Sequence, residues 1–282
     1  MADRIKVVTA KRAGFCFGVK RAVDIAFDAA TKSEHVFTLG PIIHNPQVID
    51  KLKSRGVAPI KSIDNRKIKT LIIRTHGVSK EISSRLVSKK YEVIDATCPF
   101  VKKAQHHAGL LKEEGYQVLI IGDKEHPEVM GLMSYAGPDA IVINKDERLP
   151  RLKSRVGIVV QTTQPVSVLR RVVGEAIDQV KELKVFNTIC NSTALRLKET
   201  KRIADNVDVV IVVGGKNSAN TTQLAKFCLS MSVPTYHIET AREIHEEWFA
   251  GVNKVGITAG ASTPDWIIDE VADRIRDIGG RA

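Results

Sequence analysis

The chain has 282 residues, 43% of them hydrophobic, and a formal net charge of +11 from 43 Lys and Arg against 32 Asp and Glu. A chain of this length buries roughly three quarters of its unfolded surface, so core size sets no limit. Its longest apolar runs, such as residues 209–213, are far too short to span a bilayer, and aromatics at 5% with scattered Lys and Arg argue against a nucleic-acid surface.

In chain order, the N-terminal run MADRIKVVTAKR moves straight into a strand-like IKVV without a targeting segment, so a cytoplasmic enzyme is expected. The segment Val19–Ala30 places Val19, Ala22, Val23, Ala26, Phe27 and Ala30 on one helical face. One unit then recurs: a short apolar run, a polar loop and a helical pattern. It appears at HVFTLGPIIHNPQVIDKL, TLIIRTHGVSKEISSRL, QVLIIGDKEHPEVMGLM, RVGIVVQTTQPVSVLRRV, DVVIVVGGKNSANTTQLA and KVGITAGASTPDWIIDEV. Short β-branched runs bounded by Gly and polar residues read as buried parallel strands, and their alternation with helices reads as βαβ units. The densest basic run, 53–69, reads as a solvated face.

Three cysteines partition these six units into pairs. Cys16 opens C-F-G-V-K-R-A, Cys98 opens C-P-F-V-K-K-A and Cys190 opens the looser C-N-S-T-A-L-R. Each reads as the last loop residue before a helix, where the helix dipole favours thiolate. The expected architecture is α/β: three similar lobes with mostly parallel sheets around a pseudo-threefold axis. The lobes span 17–98, 99–187 and 188–282, the last completed by residues 1–16. Such an arrangement brings the three thiols together as a metal site with one open position. Taken singly, each cysteine also fits a buried small hydrophobe. Structural zinc prefers close C-x-x-C pairs, which this chain lacks. Disulfides are not expected, and Cys228, in the apolar LAKFCLSM, reads as core.

The loops carry His44, His76, His126 and Glu128, then Thr162 and Thr163, then Ser218, Asn220 and Ser262. In parallel α/β units these loops lie at the carboxyl ends of strands, where ligands bind and helices begin. Histidines, hydroxyls and amides at helix starts suit a phosphate or diphosphate. Singly, Thr163, Ser218, Asn220 and Ser262 also read as helix N-caps. Glu128, two residues after His126, reads either as a carboxylate complementing a helix dipole or as a proton donor with a raised pKa.

In this order GFCFGVKRA, LGPIIHNP, TLIIRTHGV, DATCP, EHPEV, QTTQ, NSAN and GASTPD resemble the 4-hydroxy-3-methylbut-2-enyl diphosphate reductase family (IspH or LytB), over residues 5–272. The resemblance implies a three-lobed fold around a central 4Fe–4S cluster. The reaction implied is the last step of the methylerythritol phosphate route to isoprenoids. In it, (E)-4-hydroxy-3-methylbut-2-enyl diphosphate (HMBPP) loses its allylic hydroxyl with two electrons and two protons. The products are isopentenyl and dimethylallyl diphosphate. By the same resemblance Cys16, Cys98 and Cys190 hold three irons, and the fourth iron binds the substrate hydroxyl. His44, His76, His126, Ser218, Asn220 and Ser262 bind the diphosphate, with Thr163 beside them. Glu128 relays protons, Thr162 holds the hydroxyl, and His126 completes the catalytic set. One departure stands out: the family pattern N-S-S-N reads Asn217-Ser218-Ala219-Asn220 here, removing one hydroxyl. Acidic carriers such as flavodoxin or ferredoxin, served by an NADPH-dependent reductase, are the expected electron donors for so basic a chain. No nucleic-acid or membrane partner is expected.

Overall fold

The computed structural model describes residues 5–63, 67–216 and 218–281. Strand β1 (Lys6–Thr9) is followed by helix α1 (Phe17–Lys32), β2 (Val36–Leu39), α2 (Pro46–Lys53), β3 (Val57–Ile60), β4 (Thr70–Ile73), α3 (Lys80–Val87) and β5 (Glu92–Asp95). Next come α4 (Pro99–Glu113), β6 (Gln117–Ile121), α5 (Pro127–Ala136), β7 (Ile141–Ile143), β8 (Arg155–Val160), α6 (Val166–Ile177) and β9 (Glu182–Val185). The chain closes with α7 (Asn191–Ala204), β10 (Val209–Val213), α8 (Ala219–Leu229), β11 (Thr235–Ile238), two 3-10 turns, β12 (Lys254–Ala259) and α9 (Asp265–Arg281).

Among the described residues the strands form three four-stranded sheets, ordered β3-β2-β4-β5, β7-β6-β8-β9 and β11-β10-β12-β1. Every pairing is parallel. The chain divides into two compact units. One holds the first two sheets (Arg21–Ile42, Ile49–Cys190), and the other holds the third (Met1–Lys20, Ile43–Val48, Asn191–Ala282).

The expected α/β class with parallel sheets is what the chain adopts. Central strands are buried on both faces, which is why β10 reads VVIVV and β6 reads QVLII without alternation. The reading from sequence passed over β3, β7 and β11, all at sheet edges. These are short and half-buried, and β3 carries Pro59, a residue that only an edge strand tolerates. Leaving aside β1, which adds an edge to the third sheet, the first strand of each sheet (β2, β6 and β10) is flanked by the second on one side and the third on the other. The chain thus reverses direction across the sheet between first and third strands. The loops leaving those two strands flank the point at which open α/β sheets bind ligands.

Candidate active site

The nine residues singled out above lie in those switch-point loops or, for Glu128 and Asn220, in the first turn of the helix that follows. His44, His126 and Ser218 follow the first strand of their sheets; His76, Thr163 and Ser262 follow the third. The cysteines occupy a matching position after the remaining edge strand. Helices α1, α4 and α7 begin on the residue following Cys16, Cys98 and Cys190. Each cysteine N–H donates to a carbonyl two residues past the neighbouring third strand. Cys98 donates to Thr75 at 2.9 Å, Cys190 to Thr162 at 2.8 Å and Cys16 to Ala261 at 3.2 Å. The same main-chain bond, made three times, ties each cysteine to the loop that leaves that strand. All three cysteines are half-buried, and no disulfide forms among the described residues. Cys228 is fully buried, and burial pushes its thiol up to about 11, as a core residue requires.

The unit of the first two sheets gathers His76, His126, Glu128, Thr162 and Thr163. Helix α5 starts at Pro127, whose missing N–H is no loss at a first helical position. Its N-cap is His126, whose Nδ1 accepts from the Glu128 N–H at 3.2 Å. A backbone N–H only donates, so this ring carries its proton on Nε2 and presents a donor there. His76 and His126 meet edge to face, with centroids 5.3 Å apart. Glu128 is 2% exposed. Its Oε1 accepts from the Thr162 N–H at 2.7 Å and its Oε2 from the Thr162 hydroxyl at 2.9 Å. Burial raises its pKa to about 7, against the lowering effect of both Thr162 bonds. Glu128 thus stands in the first turn of α5, as either reading expects, but its side chain is buried against Thr162.

Three residues that the sequence reading passed over hold these loops. Gln161 Oε1 accepts from the Asp123 N–H at 2.9 Å, tying the loop before α5 to the loop after β8. Gly122 permits this approach, since a Cβ there would stand 2.8 Å from that oxygen. Thr188, two residues before Cys190, accepts from the Val160 N–H at 2.8 Å and donates back to the Val160 carbonyl. Thr75, which holds Cys98, donates to Ile42 at 3.0 Å. Their signal in sequence is position: Thr75 and Gln161 stand one or two residues past a third strand, inside THG and QTTQ.

In the other unit, His44 is exposed and Ser218, Asn220 and Ser262 are half-buried. The N-cap reading fails for Asn220, which lies inside α8, and for Thr163, since α6 is preceded by Pro165. Ser218 does occupy the α8 N-cap, yet its hydroxyl makes no capping bond. Asn217 and the Ala219 side chain lie outside the described residues. Thr263 donates to Val213 at 3.0 Å and fixes the Ser262 loop. Arg196, 6% exposed, donates to the carbonyls of Arg12, Ala259 (2.7 Å) and Gly14 (2.9 Å), and Glu199 accepts from the N–H groups of Lys11 and Arg12 at 2.9 Å. One face of α7 thereby holds the loop that leads to Cys16.

Among the described residues no group of three or more His, Cys, Asp or Glu side chains is arranged around a common metal position. Taken one by one, Cys16, Cys98 and Cys190 have donor chemistry that fits iron–sulfur ligation: each is a half-buried thiol outside any disulfide, at a helix start, with its backbone N–H satisfied within its own unit.

A family profile described as "LytB protein" matches residues 7–276. The 4-hydroxy-3-methylbut-2-enyl diphosphate reductase of Pelobacter propionicus is 51% identical over 276 residues, covering 97% of this chain and 99% of that protein. A solved structure of (E)-4-hydroxy-3-methyl-but-2-enyl diphosphate reductase, described as the terminal enzyme of the non-mevalonate pathway, superposes with a TM-score of 0.79. It is 47% identical and covers 97% of this chain and 99% of its own. The corresponding reductase from Plasmodium falciparum superposes with a TM-score of 0.82 at 26% identity, over 96% and 87% of the two chains.

Proposed function

Since this chain belongs to the LytB protein family, we propose that it reduces HMBPP to isopentenyl and dimethylallyl diphosphate. Two electrons and two protons replace the allylic C–O bond with C–H and release water. The observation that carries the proposal furthest is the buried Glu128–Thr162 pair, a proton source poised near neutral pH.

The residues act as follows. Nε2–H of His126, with His44, His76, Thr163, Ser218, Asn220 and Ser262, donates to the diphosphate, and the α8 N-terminus adds its main-chain dipole. Cys16, Cys98 and Cys190 would hold an iron–sulfur cluster. When bound, the cluster supplies the electrons and a Lewis-acidic iron for the substrate hydroxyl. Protonated Glu128 keeps Oε1 as the acceptor of the Thr162 N–H and turns its O–H on Oε2 toward the Thr162 hydroxyl oxygen. Thr162 then gives its own proton to the departing oxygen as it takes one from Glu128, so the pair delivers one proton. Glu128, reprotonated from solvent, supplies the second, which the allylic carbon takes. Electrons come from an acidic carrier such as flavodoxin or ferredoxin, reduced by an NADPH-dependent enzyme. The thiols call for a reducing compartment such as the cytoplasm.

The test is anaerobic oxidation of reduced methyl viologen by cluster-reconstituted protein, with and without HMBPP. HMBPP-dependent oxidation yielding both isoprenoid diphosphates is expected. An intact brown cluster without HMBPP-dependent oxidation would sink the proposal. Cys98→Ala is expected to lose the 4Fe–4S spectrum, and a retained spectrum would remove Cys98 from the ligand set.

A further inference from the structure

We infer that Gln161 is a positioning residue that aims the Thr163 hydroxyl proton at the anionic group of the substrate. The inference rests on the diphosphate chemistry proposed above and gives one residue of that site its direction.

The carboxamide of Gln161 has only one orientation. Its oxygen lies 2.9 Å from the Asp123 N–H, which can only donate, and the Gln164 amide N–H reaches the same oxygen at 3.3 Å. The NH2 group therefore faces Thr163, whose Oγ1 lies 3.2 Å away. Gln161 is 3% exposed, so water does not replace these partners, and a turned-over amide would set its NH2 against the Asp123 N–H. A threonine hydroxyl that accepts from an N–H keeps its own proton for a further acceptor. Thr163 is half-buried, and among the described residues its hydroxyl donates to no acceptor within the protein. Its proton is thus held for an incoming anion, the strongest kind of partner for a neutral donor.

Gln161→Glu tests this by reversing the polarity at one point. One carboxylate oxygen still accepts from Asp123, but the other now draws the Thr163 proton inward. Thr163 then meets the diphosphate with its lone pairs. Four cluster-reconstituted proteins would be compared: the parent, Gln161→Glu, Thr163→Val and the double variant. For each, KM and kcat for HMBPP and the Kd of inorganic diphosphate by calorimetry would be measured. Loss of a hydrogen bond to a charged group predicts a rise of about tenfold in KM and Kd for Gln161→Glu, with kcat within about threefold. In the Thr163→Val background the same change is expected to be at least about threefold weaker, leaving only charge repulsion. Equal effects in both backgrounds, or an effect on kcat with KM and Kd unchanged, would overturn the inference. If Gln161→Glu does not fold, Gln161→Met frees the hydroxyl to rotate. It should raise KM by about threefold in the parent and not in Thr163→Val; equal rises would again overturn it. A parent without HMBPP-dependent turnover would defeat the proposed function, and the coupling in diphosphate binding would then decide this inference alone.

Discussion

Glu128 shows how a single buried carboxyl links stability to activity. Its pKa lies near 7 in the folded chain against an ordinary 4.5, so the folded state keeps a proton that the unfolded chain releases. Its contribution to stability therefore declines as pH rises from about 4.5 to about 7, by about 3 kcal/mol in all, and is flat above that range. Glu128→Gln should abolish this decline and raise Tm above pH 7, as a thermal-unfolding series from pH 5 to 8 would register. The same substitution should lower kcat by about a hundredfold or more, since general acid catalysis contributes on that scale. In the parent, kcat should fall as pH passes upward through about 7. A pH-independent kcat would remove Glu128 from the proton path. Sequence named the residue but not its state: EHPEV places a carboxylate in a first helical turn, whereas the raised pKa comes from burial, which outweighs the lowering bonds from Thr162, a residue distant in the chain.

At the scale of elements, glycines in third strands decide how closely the cysteine helices pack. A Cβ at Gly157 in β8 would stand 2.4 Å from Leu111 Cδ2 of α4, and one at Gly256 in β12 would stand 2.6 Å from Ile203 Cγ2 of α7. Gly157→Ala is expected to destabilise by about 1–3 kcal/mol through overpacking, measured as a shift in the urea midpoint at unchanged m. Arg196→Met should be costlier, about 3 kcal/mol or more, because three carbonyls lose their donor together. A loss under 1 kcal/mol would show that the Cys16 loop does not depend on α7. Periodicity made the long helices and the doubly buried strands legible, β10 and α1 above all. It could not show β3, β7 and β11, since short edge strands bury one face and alternate over too few residues to register. Nor could it show that Arg196, which reads as one more basic residue of a solvated helix, turns inward.

Across the whole molecule, the sequence already displayed its repetition through C-x-x-V-K-(R/K)-A and six strand–loop–helix units. What it concealed was the main-chain bond from each cysteine to the next loop, because backbone N–H groups leave no mark in residue type. The charge of +11 predicts faster electron delivery from an acidic carrier at low ionic strength. Reduction rates measured between 50 and 500 mM salt should fall steadily with such a carrier and stay flat with a neutral dye. A final consequence concerns synthesis on the ribosome. Among the described residues strand β1 pairs only with β12, Lys6 beside Lys254 and Thr9 beside Ile257, and Cys16 is held by Ala261. The first thiol made is thus the last to be seated, after nearly the whole chain has emerged. The two sheets of Arg21–Cys190 can fold while translation continues, so Cys98 and Cys190 are in place early. On the proposed function, iron loading through all three thiols would therefore be a step after translation. Nascent chains arrested before residue 254 should resist protease across the first two sheets, and their Cys16 should still react with a thiol reagent.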